Sequence, residues 1–344
     1  MHRADPARST DVRGMVAVRE DGRVPGRPPP LTRRALLRTG LAAGVVLGAA
    51  GCTGSGPPPR LVIAGGVQPG VYISLGRTLA GIWQDRLGLA DRPEVLTTAG
   101  STQNMQLLIS GRATVTISQV DVAADVAGGV TGDAEPRALA RLYDDITHVV
   151  VRRDSRFRTL DDLRGARVSI GPAGSGYQPI ALRLLDVAGI GVDGLGERAE
   201  LGLPDAVEGL RSDRIDAFFW SGGVPTDGIR ALAAELPIRL LDLGGVLDRL
   251  RERFPVYSLG TVPANTYGLP GPVSCLSVRN VLLVTAAMDD ATARGLIDAA
   301  FREQPRLAQA SPAAVTVDSR SAFGTQPVPL HPGAVEFYRS TKGY

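Results

Sequence analysis

With 344 residues, 44% of them hydrophobic and 21% charged, the chain has ample apolar surface for two domains or one large one, which excludes a disordered or fibrous polymer. The pI near 9.1 suggests a nucleic-acid binder, but nine arginines against four acids fall in residues 1–51, and with a whole-chain charge of +3 the remainder is net negative. The remainder therefore lacks the clustered positive face that phosphate backbones require, and no nucleic-acid partner is expected. Lys342 is the one lysine, which removes Schiff-base and Walker-type lysine chemistry.

Residues 1–30 are rich in Arg, Pro and Gly without apolar periodicity, and Met15 is an alternative start. Thr32-Arg33-Arg34-Ala35-Leu36-Leu37-Arg38 is a positive segment with a twin arginine, followed by the uncharged stretch Gly40 to Gly51. That stretch is too short to span about 30 Å of hydrocarbon and suits the apolar region of an export signal. It ends at Gly48-Ala49-Ala50-Gly51-Cys52, which resembles the bacterial lipoprotein box, with Ala49 where that box prefers Leu. The twin arginine resembles a Tat signal. Cys52 is thus expected to carry a lipid anchor, and Thr53 to Pro59 reads as a spacer holding a folded domain off a membrane. The expected location is extracytoplasmic.

From Arg60 onward apolar runs alternate with amphipathic segments. Leu61–Ala64 reads as a buried strand, and Ser74–Leu87 as a helix with Leu75, Leu79 and Ile82 at i, i+4, i+7. Glu94–Thr97 is a second strand, Asn104–Ser110 a helix with Ser101 and Thr102 as cap candidates, and Val115–Ile117 a third strand. A new block begins with His148–Val151. It continues with a helical turn at Leu160–Leu163, a strand at Val168–Ile170, and helices at Pro179–Ala188 and Pro204–Leu210. A strand at Asp216–Trp220, a helix at Asp227–Leu236 and a strand at Ile238–Leu243 follow. The series closes with a strand at Asn280–Val284 and a helix at Asp289–Gln304. The last forty residues, rich in Pro, are expected to wrap the surface, with Val315–Val317 a strand or nothing. The alternation predicts largely parallel sheets covered by helices. Leu108-Ile109-Ser110-Gly111-Arg112 before Val115 and Leu210-Arg211-Ser212-Asp213-Arg214 before Ala217 share a helix-end, turn and strand pattern, which fits two lobes on one plan.

Two glycine-rich turns, Gly65–Gly70 and Gly171–Gly176, each follow a strand and precede a helix, where backbone N–H groups can meet an anion. Together with Ser101–Asn104 they would converge at the carboxyl ends of the strands, where open α/β sheets bind ligands. Enzyme readings fare worse. Gly189–Gly194 matches G-x-G-x-x-G but follows a helix, so the dinucleotide context is missing. No phosphate-loop lysine motif and no G-x-S-x-G elbow occur. His148 and His331 are isolated, His148 reads as a packing residue, and Cys275 reads as a buried inert thiol; no metal or cofactor is expected. Asp144-Asp145 and Asp161-Asp162 read as solvated caps at turns, not acid–base pairs.

Along residues 60–310 the chain resembles the TAXI-type solute-binding proteins of TRAP transporters. The resemblance rests on Ile63-Ala64-Gly65-Gly66 through Gly70-Val71-Tyr72, Gly100-Ser101-Thr102-Gln103-Asn104 and Ser118 to Ala123. It extends to Leu160-Asp161-Asp162-Leu163-Arg164-Gly165, Gly174-Ser175-Gly176, Ile215 to Phe219, Gly223-Val224-Pro225-Thr226 and Pro263 to Tyr267. The resemblance implies an α/β, two-lobed, type II periplasmic-binding-protein fold with a hinge. It also implies capture of a small carboxylate such as glutamate or a dicarboxylate, and delivery to a TRAP permease. Lobe I would be residues 60–145 and 260–344, lobe II residues 146–259, with crossovers near 142–148 and 255–265; a monomer is expected. Carried over by position, the ligand contacts would be Gln68, Tyr72, Thr98, Ser101, Asn104 and Gln119, with Gly174, Ser175, Tyr177, Gly223, Val224 and Pro225 from the second lobe. Val67, Gln68, Pro69 and Tyr177 depart from the family pattern, which predicts a reshaped pocket. The competing readings are a membrane-anchored sensor or partner-binding module without a permease, and an enzyme built on the same fold.

Overall fold

The computed structural model describes residues 60–341. The leader, the lipidation candidate Cys52 and the whole linker 52–59 lie outside the described residues. No helix among the described residues is long and apolar enough to cross a membrane.

The first third of the described chain runs β1 (Val62–Ala64), α1 (Val71–Leu87), β2 (Glu94–Leu96), α2 (Ser101–Ile109), β3 (Val115–Gln119) and α3 (Val120–Ala127). β1 pairs in parallel with both β2 and β3, so a three-residue strand must be apolar on both faces, as Val-Ile-Ala is. The periodicity in α1 is the predicted one: Leu75, Leu79 and Ile82 are buried, and Trp83 beside them donates its indole N–H to the Leu296 carbonyl at 3.0 Å. Gly88 in the left-handed conformation ends the helix.

The next element, β4 (Pro136–Arg152), is one 17-residue strand. After it come β5 (Arg167–Ser169), α4 (Tyr177–Val187), β6 (Glu197–Ala199), α5 (Leu203–Arg211), β7 (Ala217–Gly222), α6 (Asp227–Glu235), β8 (Ile238–Leu240), α7 (Gly244–Arg253) and β9 (Ser258–Val262). β10 (Val273–Thr285) is the second long strand; α8 (Asp290–Arg302), α9 (Gln304–Ala310) and α10 (Pro332–Thr341) complete the chain.

The sheet order is β2-β1-β3-β10-β4-β7-β5-β6, with β8 on β4 and β9 on β10. β4 and β10 run antiparallel through the middle. The C-terminal half of β10 carries the parallel group β3-β1-β2, and the C-terminal half of β4 carries the parallel group β7-β5-β6. The two groups are alike, each with its earliest strand in the middle. The short repeat seen in the sequence is real: Arg112 and Ala113 N–H both bond the Leu107 carbonyl, and Arg214 and Ile215 N–H both bond the Gly209 carbonyl. Gly111 and Asp213 hold the same left-handed position in the two turns, with φ of 70° and 60°. The architecture is a mixed α/β fold in which two similar parallel strand groups, each covered by helices, share the long antiparallel pair β4 and β10.

Three expectations fail. Asp144 and Asp145 do not cap a turn but sit within β4, Asp144 bonded twice to Arg141. Ser101 and Thr102 do not cap α2; Gly100 does, in a backbone conformation (φ 134°) that side-chain-bearing residues rarely adopt. The C-terminal segment does more than wrap the surface. Phe337 and Tyr338 of α10 are buried, with Phe337 stacked on Phe301 and the Tyr338 hydroxyl donating to the Leu139 carbonyl.

Candidate functional site

A buried polar cluster lies where β4 and β10 meet β3 and β7. Tyr143, Asp145 and Thr147 alternate on one face of β4. Asn280 stands opposite Tyr143 in β10, Gln119 of β3 opposite Asn280, and Ser221 of β7 opposite Thr147. Gln119 Nε2 donates to Asp145 Oδ2 at 3.2 Å and to Ser221 Oγ at 2.9 Å, tying the two strand groups together across β4. From α1 the Tyr72 hydroxyl reaches Ser101 Oγ at 3.1 Å and donates to Asn280 Oδ1 in a short bond. Ser101 Oγ also accepts the Gln119 backbone N–H at 3.0 Å.

Three atoms of this cluster are buried without a hydrogen-bond partner: Gln119 Oε1, Thr147 Oγ1 and Asn280 Nδ2. Asp145, 6% exposed, has its carboxyl pushed up to about 6 by burial. The Asn280 and Gln119 side chains favour its charged form, and the charges of Asp144 and Asp121 oppose it. No cation is among these influences. Burial, then Asp145, also pushes the Tyr72 and Tyr143 phenols well above their ordinary value, so both are neutral donors.

A loop closes over the cluster. Gly174 accepts the Gln103 N–H at 3.1 Å and Ser175 accepts from the Thr102 hydroxyl at 2.9 Å, so carbonyls of the 172–176 turn meet the N-terminal turn of α2. Gly176 packs so closely that a Cβ there would stand 2.2 Å from Gln119 Oε1 and 2.7 Å from Ser101 Oγ. Beside this closure lies a second link. Arg183 of α4 donates to Asp121 Oδ2 of α3 at 2.8 Å, the Tyr257 hydroxyl donates to the same oxygen at 2.6 Å, and the guanidinium sits 4.4 Å over the Phe254 ring. Burial raises the Asp121 carboxyl, while Arg183 and Tyr257 hold the rise back.

The residues carried over from the sequence fall into three groups. Tyr72, Ser101, Gln119, Gly174 and Ser175 come together around the cluster. Thr98 and Asn104 form a clamp instead: Thr98 Oγ1 donates to Asn104 Oδ1 at 2.6 Å, and Asn104 Nδ2 bonds the Gly65 and Ile117 carbonyls, fastening β1 to β3. Gln68 lies at the surface, bonded to Arg77. Tyr177 packs edge-on against Trp220 and over Gly171. Gly223, Val224 and Pro225 lead into Thr226, which bonds the Gly223 carbonyl and the Tyr267 hydroxyl, away from the cluster.

Asp145, Thr147, Ser221 and Asn280 were not legible as site residues. The signal was there for two of them, since Tyr143-x-Asp145-x-Thr147 has the two-residue period of a strand. His148 packs as expected. It is buried, its Nδ1 lies 2.8 Å from the Ile146 carbonyl, its ring tilts against Tyr267, and burial lowers it to about 4. Cys275 is a buried free thiol pushed up to about 12 by burial. Among the described residues no group of His, Cys, Asp and Glu is disposed to hold a metal ion. Two open surface hollows, one of about 510 Å3 beside Pro225 and Tyr267 and one of about 890 Å3 beside Arg294 and Phe337, include none of the cluster residues.

A sequence profile of the NMT1-like family matches residues 63–341. The chain belongs to the NMT1-like family. Solved structures resemble it at low identity. XAC2383 from Xanthomonas citri, bound to ATP, is 19% identical, with 82% of this chain and 95% of that one covered and a TM-score of 0.50. The periplasmic aliphatic sulphonate binding protein SsuA from Escherichia coli is 17% identical over 83% and 88%, with a TM-score of 0.43. A TctC solute binding protein from Polaromonas is 19% identical over 74% and 88%, with a TM-score of 0.45. At these identities the likeness of the NMT1-like chain to them is one of fold.

Proposed function

We propose that the protein is an extracytoplasmic solute-binding protein that captures a small carboxylate between two lobes and hands it to a TRAP-type permease, tethered to the membrane through Cys52. The observation that carries the reading is the junctional cluster. Gln119, Asp145 and Ser221 are bonded across three strands, and Gln119 Oε1, Thr147 Oγ1 and Asn280 Nδ2 are buried and unpaired. Leaving such atoms unpaired costs about 1–3 kcal/mol each, a cost that a polar solute seated among them removes. The N-terminal turn of α2, met here by the Gly174 and Ser175 carbonyls, is a suitable seat for the solute's carboxylate once those carbonyls withdraw.

In this reading residues 60–145 with the C-terminal segment form one lobe, and β4 and β10 are the hinge strands. We draw the second boundary within β10 and not at residue 260, because β9 pairs with the first half of β10 while β3 pairs with the second. Binding without turnover fits the chemistry, since the two described histidines are committed to packing and capping: His148 lies against Tyr267, and His331 Nε2 against the Met288 carbonyl. The Tat-like leader, the lipoprotein-like Cys52 and the resemblance to TAXI-type proteins support export, tether and permease respectively.

A thermal-shift screen of the full-length protein against carboxylates, amino acids and sulfonates tests the proposal. A bound solute at a hundred times its Kd stabilises the folded state by about 2.7 kcal/mol. At least one class should raise Tm by several degrees; a flat response at millimolar concentration across all three classes removes the binding reading.

A further inference from the structure

Resting on that reading, we infer that the 172–176 turn is a built-in competitor of the solute: the Gly174 and Ser175 carbonyls hold the carboxylate's place on α2, so turn and solute exclude each other. A carboxylate offers two oxygens to the donors at the start of a helix. Two oxygens of the chain itself already stand there, Gly174 O taking the Gln103 N–H at 3.1 Å and Ser175 O taking the Thr102 hydroxyl at 2.9 Å. Both are neutral amide oxygens. Bonds from the same donors to a charged oxygen are stronger, so a carboxylate can displace the turn.

The contact is shaped for this one arrangement. Gly176 has φ −79° and ψ −30°, which residues with side chains adopt without strain. Its backbone does not call for glycine; the space does, because a Cβ would stand 2.2 Å from Gln119 Oε1 and 2.7 Å from Ser101 Oγ. Gly100 repeats the requirement from the other side, where a Cβ would stand 3.3 Å from Ser175 Cα. The turn is braced from within. The Ser175 N–H bonds the Pro172 carbonyl at 3.2 Å, Ser175 Oγ takes the Gln178 N–H at 3.3 Å, and Gln178 Nε2 bonds the Gly171 carbonyl at 3.0 Å. It is also held from behind. The turn leads directly into α4, which carries Arg183, and the bonds of Arg183 to Asp121 and Asp125 fasten α4 to α3. Plug and latch are therefore released together when α4 draws back from α2 and α3.

Because only the withdrawn form takes up solute, the apparent affinity is lowered by the fraction of molecules in that form. Weakening the plug should thus tighten binding, the reverse of what losing a solute contact does. The test is calorimetric titration of the full-length protein with acetate, succinate and L-glutamate, which share the carboxylate. Gly176→Ala, whose methyl group blocks the plugged form, should bind the best of these probes about 5- to 100-fold more tightly than wild type, the factor expected for two lost hydrogen bonds. Arg183→Met combined with Asp121→Asn undoes the latch without stranding a carboxylate, touches neither Gln119 nor α2, and should shift affinity in the same direction. Circular dichroism and Tm report whether each variant is folded. A probe that binds the variants but not the wild type supports the plug as well. A folded variant of either kind that binds no more tightly than wild type overturns the inference and leaves the solute-binding proposal standing. Binding of no probe to any of the three proteins overturns both.

Discussion

Replacing Arg183 with Met should destabilise the protein by about 3 kcal/mol or more, because it strands a buried carboxylate. Asp121 has no exposed side-chain surface and, among the described residues, two side-chain donors, Arg183 at 2.8 Å and Tyr257 at 2.6 Å. Removing the cationic partner of a buried pair costs about 3–5 kcal/mol. The second arm of Arg183, to the exposed Asp125, adds only about 0–1 kcal/mol. Met keeps most of the apolar stem that lies over Phe254, so lost packing is a small part of the effect. At about 2–4 °C per kcal/mol for a chain of this size, Tm should fall by roughly 6–20 °C. The sign of the pH dependence is a second check. Burial raises the folded-state carboxyl of Asp121, and losing Arg183 raises it further. The folded state then binds the proton more tightly than the unfolded chain, so the variant gains stability as pH falls and loses it as pH rises through that raised value. Urea denaturation at several pH values measures both. Adding Asp121→Asn should recover much of the loss through non-additivity. A variant within about 0.5 kcal/mol of wild type at pH 7, with an unchanged pH profile, would refute the reasoning.

Asn104→Ala should cost about 1–3 kcal/mol, since it removes the buried amide that bridges Thr98, Gly65 and Ile117, although the Thr98 hydroxyl keeps the Gly65 carbonyl at 3.2 Å; urea denaturation measures it, and a loss of solute affinity at unchanged stability would contradict the clamp role. Gly176→Ala puts a methyl group into Gln119 and Ser101, so it should hold the lobes apart and raise the radius of gyration in small-angle scattering; an unchanged closed form would count against the packing described. The Asp145 carboxyl, raised from 3.8 to about 6 on folding, contributes stability that is present below pH 4 and lost by pH 6. Asp145→Asn should therefore be more stable than wild type at pH 7, by up to about 3 kcal/mol, and flatten the Tm profile between those values.

The parallel strands and the longer helices were legible because each announces itself with a local period, as at Val62–Ala64 and along Leu75, Leu79 and Ile82. The paired turns after α2 and α5 were legible for the same reason. The long strands were not. β4 carries Tyr143, Asp144, Asp145 and Thr147 in mid-strand, and charges there read as a turn until the neighbours that bury and bond them are known. α7 opens on Gly244-Gly245 and α10 on Pro332-Gly333, both of which look like loop until the buried faces Val246-Leu247-Leu250 and Phe337-Tyr338 are seen. Half of the site followed from resemblance, namely Tyr72, Ser101, Gln119 and the 174–175 turn. The other half, Asp145, Thr147, Ser221 and Asn280, is drawn from three strands distant in sequence, and only the register of β4 with β10 and β7 brings it together.

The most direct test of solute capture is native mass spectrometry of the full-length protein as purified, followed by denaturation and identification of any released small molecule. One dominant species, a small carboxylate, should be released stoichiometrically from the wild type. Protein that carries no solute, and takes none up on incubation with amino acids or carboxylates, would contradict the account as a whole.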